Sequence, residues 1–188
     1  MTTKKRKPVV VSPCTLNVIV AAEAERIVHL SGDVDEERIA AVTEKLLNLS
    51  GSPEPILLFI STYGGSVDEM FGLYDLIKFL PQPIYTIGLG KIMSAGVLIL
   101  AAGEKGHRAI GQTSSVMLHS TQGELCGTTN SLMNEVSYLD DRQSLLKRKL
   151  IAESMLTLKK LDEIVKSGNN VYFTANDVIK WGLADHIL

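Results

Sequence analysis

Ile56-Leu57-Leu58-Phe59-Ile60-Ser61-Thr62-Tyr63-Gly64-Gly65-Ser66-Val67-Asp68-Glu69 runs from an apolar segment through a glycine pair into a helix start. Ile56–Ser61 is short, apolar and bounded by turn residues, the pattern of a buried strand. Ser66-x-x-Glu69 is a capping-box pattern that satisfies the free N–H groups of a first helical turn. The helical pattern Ser66–Leu80 then ends at Pro81. Gly64 and Gly65 let the backbone approach a ligand closely, beside the N–H groups of the helix start. Such a turn holds an oxyanion or an extended peptide strand, and it is equally an ordinary tight turn.

Further strand patterns lie on both sides: Asn17–Val20, Arg26–Leu30, Ile84–Leu89, His107–Ile110, Val116–His119 and a closing Leu183–Leu188. Between them, Asp35–Leu49 places Ile39, Val42, Leu46 and Leu49 on one helix face. Ser94–Ala102 reads as a short helix buried on all sides. Ala175–Trp181 follows a Thr174 cap and ends at Gly182. Strands alternating with helices imply βαβ units, an α/β class and a mainly parallel sheet. The C-terminal third is different. Asn130–Glu153 is long and charge-rich, with Leu132, Val136, Leu139 and Leu146 only loosely periodic, and Thr157–Lys166 forms a second helix before Ser167-Gly168-Asn169-Asn170. The long helix either packs across its own domain or projects as an assembly element.

The 188 residues suffice for one domain with a continuous core. With 45% hydrophobic and 21% charged residues and a mean hydropathy of +0.15, either the core is large or other subunits cover part of the surface. A net charge of −2 and a pI near 6.1 argue against sequence-independent nucleic-acid binding. No apolar run reaches the roughly 18–20 residues of a membrane helix. Cys14 and Cys126 have neither CxxC nor zinc-site spacing, and no histidine pair has metal-ligand spacing, so no metal is expected. Residues 1–25 read as a partly mobile N-terminal segment, in which Lys4-Lys5-Arg6-Lys7 is a solvated basic cluster or a polyanion-binding tail. The expected location is the cytoplasm.

Two side chains stand out for chemistry. Ser94 follows Gly88-Leu89-Gly90-Lys91-Ile92-Met93 at the start of a helix with small neighbours. That placement is close to a nucleophile elbow, without its G-x-S-x-G form, and it is also that of a serine N-cap. No Walker A spacing is present. His119 ends an apolar strand, where a base beside a sheet crevice is well placed. A lone histidine at a strand end is also commonly structural; His29, His107 and His186 have less suggestive surroundings.

The order and spacing of the Gly64-Gly65 turn, Ser94 and His119 resemble those of the Clp protease proteolytic subunit. The resemblance runs from about Arg26 to the C-terminus. It includes Ile60–Tyr74, Thr86–Gly103, Ser115–His119, Val171-Tyr172-Phe173-Thr174-Ala175 and Trp181-Gly182-Leu183-Ala184-Asp185. It implies a crotonase-like ββα superhelix over residues 26–188, with a projecting helix. Ser94 is then the nucleophile of a serine endopeptidase and His119 its general base. The N–H groups of Gly65 and Ala95 form the oxyanion hole. Gly64, and Gly123 and Gly127 in an edge hairpin over Gln122–Gly127, meet the substrate strand. The resemblance further implies two stacked heptameric rings, unfolded polypeptide substrates and a hexameric AAA+ unfoldase that binds the ATP, with no cofactor here.

The sequence departs from that pattern in places. Asn170 occupies the position where the family has an aspartate as third triad member. An asparagine can fix the imidazole tautomer but adds no charge, so a slow or assembly-dependent site is expected. Asp177 and Asp185, nearby in sequence, sit in contexts that suggest structural roles. Ser120-Thr121 follow His119 where the family usually has Gln-Pro. Lys91 raises a Ser–Lys dyad as an alternative. Two other functions compete: a non-catalytic subunit that assembles with an active paralogue, and an acyl-CoA enzyme of the crotonase type.

Overall fold

Alternate residues of the quoted apolar run face opposite sides of a parallel sheet. A computed structural model of the protein describes residues 25–124 and 126–188. The expected strand Asn17–Val20, the basic cluster and Cys14 lie outside the described residues. The strand β2 (Ile56–Thr62) pairs in parallel with β1 (Ile27–Ser31) and β3 (Ile84–Met93). Ile56, Leu58 and Ile60 join the main core, and Leu57 packs with Ile87 and Ala109 in a smaller cluster. Each fully buried aliphatic side chain contributes about 1.5–3 kcal/mol, so β2 is a principal source of stability.

The helices α1 (Glu36–Leu49), α2 (Val67–Phe79) and α3 (Ala95–Ala101) alternate with these strands, and their apolar residues complete the main core. Asp35 caps α1 by accepting from Arg38 N–H, and Ser66 caps α2 by accepting from Glu69 N–H. The sheet continues through β4 (Ala109–Ile110) to β7 (His186–Ile187). These two strands are shorter than the patterns His107–Ile110 and Leu183–Leu188 predict. Leu183 and Ala184 are buried in the core without joining a ladder: Leu183 N–H donates to Val178 O, and pairing with β4 begins only where Arg108 O accepts from the N–H groups of Asp185 and His186. The α/β class and the crotonase-like parallel arrangement stand.

The remaining elements are β5 (Ser115–Leu118), α4 (Thr129–Glu153), α5 (Leu158–Ser167), β6 (Val171–Phe173) and α6 (Ala175–Lys180). The long helix α4 resolves the choice left open by its sequence. Its buried residues, Gln143, Leu146, Leu150 and Glu153, all lie in its second half. Met133, Val136 and Tyr138 in the first half are exposed. The helix therefore projects.

A polar clasp holds the root of α4. Arg108, only 4% exposed, donates to both carboxylate oxygens of Asp185 (Nε 2.9 Å, NH2 2.7 Å) and to the carbonyls of Ala101 and Glu153. The Glu153 carboxylate accepts from Tyr74 Oη at 2.7 Å and pairs with Lys78 at 2.9 Å. Asp177 closes a capping box with Thr174. Both aspartates are thus engaged structurally. Burial opposes ionisation of Asp185, but the hydrogen bonds from Arg108 and Gly106 outweigh it and hold its carboxyl below the usual value. The stability this provides is present above the unfolded carboxyl pKa and lost as pH falls through the folded one. Asp185→Asn leaves the buried guanidinium uncompensated and should cost about 3 kcal/mol in urea unfolding at pH 7. The deficit relative to wild type should shrink once the pH falls below about 4.

Candidate active site

A bend in β3 brings the catalytic candidates together. The first part of β3 pairs β4 through Ile87 and Gly88. Its register with β2 then slips, so that Thr62 faces Ile92. Beyond the slip, Lys91–Met93 pair β5 at Ser115–Met117. One strand therefore serves two neighbours in turn, and its last residue lies beside the strand that leads to His119.

Ser94 follows directly, with φ 52° and ψ −116°. A side chain rarely adopts this backbone, which costs on the order of 1–3 kcal/mol. The surroundings impose it: Ser94 N–H donates to Met117 O at 2.8 Å, and Ser94 O accepts from Val97 N–H at 3.1 Å. Ser94 stands at the N-cap of α3 but makes no side-chain cap hydrogen bond. Its Oγ lies 2.9 Å from His119 Nε2 instead. The N-cap role is thereby replaced by a serine–histidine contact.

The glycine pair packs against this elbow. A Cβ on Gly64 (φ +102°) would lie 2.6 Å from Ser94 Cβ, closer than real atoms approach. Gly65 bridges Val34 in parallel through the carbonyl of Gly64 and the N–H of Ser66. In such a bridge the N–H of Gly65 itself is turned away from Val34. Gly65 and Ala95 line one cleft with Ser94 and His119, about 290 Å³ in volume. Val67, Met70 and Leu146 supply its apolar wall, and Tyr63, Thr121 and Gln122 complete the lining. Among these wall residues, Met70 and Leu146 carried no signal in the sequence beyond membership of an apolar helix face.

Burial lowers the pKa of His119 below its usual value, so the ring is neutral at neutral pH. A neutral imidazole within hydrogen-bonding distance of a serine is the protonation state a general base requires. Its other nitrogen, Nδ1, is buried and makes no hydrogen bond among the described residues. Asn170 immediately precedes β6, and Leu118 pairs with Val171 in that antiparallel ladder, which sets Asn170 across from His119. Asn170 is nevertheless exposed and makes no bond to the ring.

Other expected residues fall elsewhere. Lys91 Nζ lies 3.5 Å from Ser61 Oγ and 4.9 Å above the Tyr63 ring; the partner of Ser94 is His119, so no Ser–Lys dyad forms. Residues 121–124 and 126–128 contain no strand, so the described part of the expected edge hairpin is open chain. Gly123 packs near Leu139, and Gly127 near Ser131 at the entry to α4. Among the described residues of that stretch, Gln122 lines the cleft. Among the described residues no cluster of His, Cys, Asp or Glu has the geometry of a metal site, and no helix is long and apolar enough to cross a membrane.

The family model described as Clp protease matches residues 14–188. The ATP-dependent Clp protease proteolytic subunit 1 of Leifsonia xyli subsp. xyli is 33% identical over 168 residues, covering 87% of this chain and 83% of the relative. Proteolytic subunit 4 of Rhodococcus jostii is 34% identical over 168 residues, covering 87% and 84%. The proteolytic subunit of Borreliella afzelii is 30% identical over 172 residues, covering 87% and 83%. With the parallel sheet, the elbow serine and its histidine in place, the chain belongs to the Clp protease family.

Proposed function

We propose that this chain is the proteolytic subunit of an ATP-dependent protease and hydrolyses peptide bonds with Ser94 as nucleophile. The observation that carries the reading is the 2.9 Å contact between Ser94 Oγ and His119 Nε2 at a residue held in a strained elbow. Ser94 Oγ attacks the scissile carbonyl carbon while His119 Nε2 takes its proton. The N–H groups of Gly65 and Ala95 receive the developing oxyanion. The C–N bond then breaks as His119 returns the proton to the leaving amine. Water, deprotonated by the same histidine, cleaves the acyl-enzyme and restores Ser94. Gly64 keeps the entry free of side chain, and Gly123 and Gly127 border the substrate path.

Assembly follows from the same reading. The exposed Met133 and Val136 on the projecting half of α4 suit contact between two stacked heptameric rings. Such rings would enclose the sites and admit unfolded polypeptides delivered by a hexameric AAA+ unfoldase in the cytoplasm. The unfoldase binds the ATP, and this chain needs no cofactor of its own. The non-catalytic alternative has Asn170 in its favour, but the retained Ser94–His119 contact weighs against it. An acyl-CoA enzyme would leave that contact without a role.

Four results test the proposal. A fluorophosphonate should label the assembled protein at Ser94 and leave Ser94→Ala unlabelled; equal behaviour of the two would refute the enzyme. The labelling rate should rise with pH through a midpoint below the ordinary histidine value of about 6.5, because burial holds His119 neutral. Asn170→Asp should move that midpoint upward and speed labelling at pH 7 by about tenfold or more, as a carboxylate turned toward Nδ1 stabilises the imidazolium. Asn170→Ala, which removes no bond to the ring, should stay within about twofold of wild type.

A further inference from the structure

His119 is held differently on its two sides. On its N-terminal side, β5 fixes the backbone through pairing with both β3 and β6, up to Leu118. On its C-terminal side the chain leaves the sheet, and residues 119–124 form no strand. The next tether to the rest of the fold is two residues on. There Thr121 N–H donates to Gln143 Oε1 at 2.5 Å. Gln143 is a buried polar residue of α4, and a buried amide oxygen without a donor would carry a desolvation cost.

We infer that Gln143 is a positioning residue for the reaction: by holding the Thr121 backbone, it fixes the C-terminal flank of His119 and keeps Nε2 on Ser94. It touches neither Ser94 nor the His119 ring, and acts only through the chain between. Only Ser120 separates Thr121 from His119, so a shift of the Thr121 amide passes directly to the Cα of the base. Orientation errors of about 1 Å at a reacting group cost on the order of a hundredfold in rate. Losing one of two flanking tethers permits a smaller error, and about tenfold is expected. The inference rests on the serine–histidine reading above.

The test uses the full-length assembled protein and two readouts: the fluorophosphonate labelling rate at Ser94, and hydrogen–deuterium exchange of the peptide spanning residues 119–124. Gln143→Met keeps the length of the side chain but removes the oxygen acceptor. It should slow labelling about tenfold and speed exchange in that peptide. Gln143→Glu, which retains an oxygen at the same reach, should restore both to within about threefold. In a Thr121→Pro background the donor is gone and the ring sets its own φ, so adding Gln143→Met should cost less than about twofold. If Gln143→Met fails to fold, Gln143→Asn withdraws the acceptor by one methylene while preserving a buried amide, and the same slowing is expected. Wild-type labelling and exchange in Gln143→Met overturn the inference, as does an equal loss in the Thr121→Pro background. A wild-type protein that does not label refutes the serine–histidine reading itself, and the exchange data then judge the tether separately.

Discussion

The site depends on one steric condition: the turn after β2 and the elbow after β3 must touch with no side chain between them. Gly64 meets the Ser94 Cβ where its own Cβ would stand. A residue of any other kind at position 64 would push the elbow away and open the distance to His119. The adjacent Gly65 has a second restriction of the same type, since a Cβ there would collide with the Val34 backbone. Both strands are therefore drawn together at their C-terminal ends, where ligands of parallel sheets bind. The strain in Ser94 is maintained by packing, by its hydrogen bond to Met117 of β5 and by the one it accepts from Val97 of α3.

A second consequence concerns how stability and function are divided. The central strands and α1–α3 supply most of the main core, and the polar clasp of Arg108, Asp185, Glu153 and Tyr74 anchors the base of α4. The first half of that helix buries no side chain fully, and Met133 and Val136 there face outward. Met133 and Val136 would be poor choices for a free surface and good ones for a subunit contact. The apolar composition noted in the sequence thus has two sources, a continuous core and a face left for assembly.

Much of this was legible in the sequence, for identifiable reasons. The capping serine at position 66, the threonine at 174 and the alternation in β2 are local signals, and local signals survive without a structure. The pairing of Ser94 with His119 was legible only from order and spacing, since each residue alone had a common structural explanation. The bend that makes β3 serve both β4 and β5 was not legible, because a register slip leaves no compositional mark beyond Gly88 and Gly90. The expected hairpin after Gln122 was read from glycines that instead accompany open chain and the entry to α4. The tether from Gln143 was invisible for another reason. It joins a side chain to a backbone N–H 22 positions away, and a glutamine in a charged helix looks like solvated surface.

The antiparallel pairing of β5 with β6 has a temporal meaning. Ser94 and its elbow belong to the first half of the chain, whereas the strand that flanks the base, Val171–Phe173, comes near the end. Domains are built from the N-terminus as the ribosome extends them. A nascent chain that has emerged through β5 therefore carries a histidine whose strand still lacks half of its sheet support. The second side of the strand that leads to the base is therefore paired only after β6 has been made. The order of strands along the chain makes the flank of the histidine the last part of the site to receive its sheet partners.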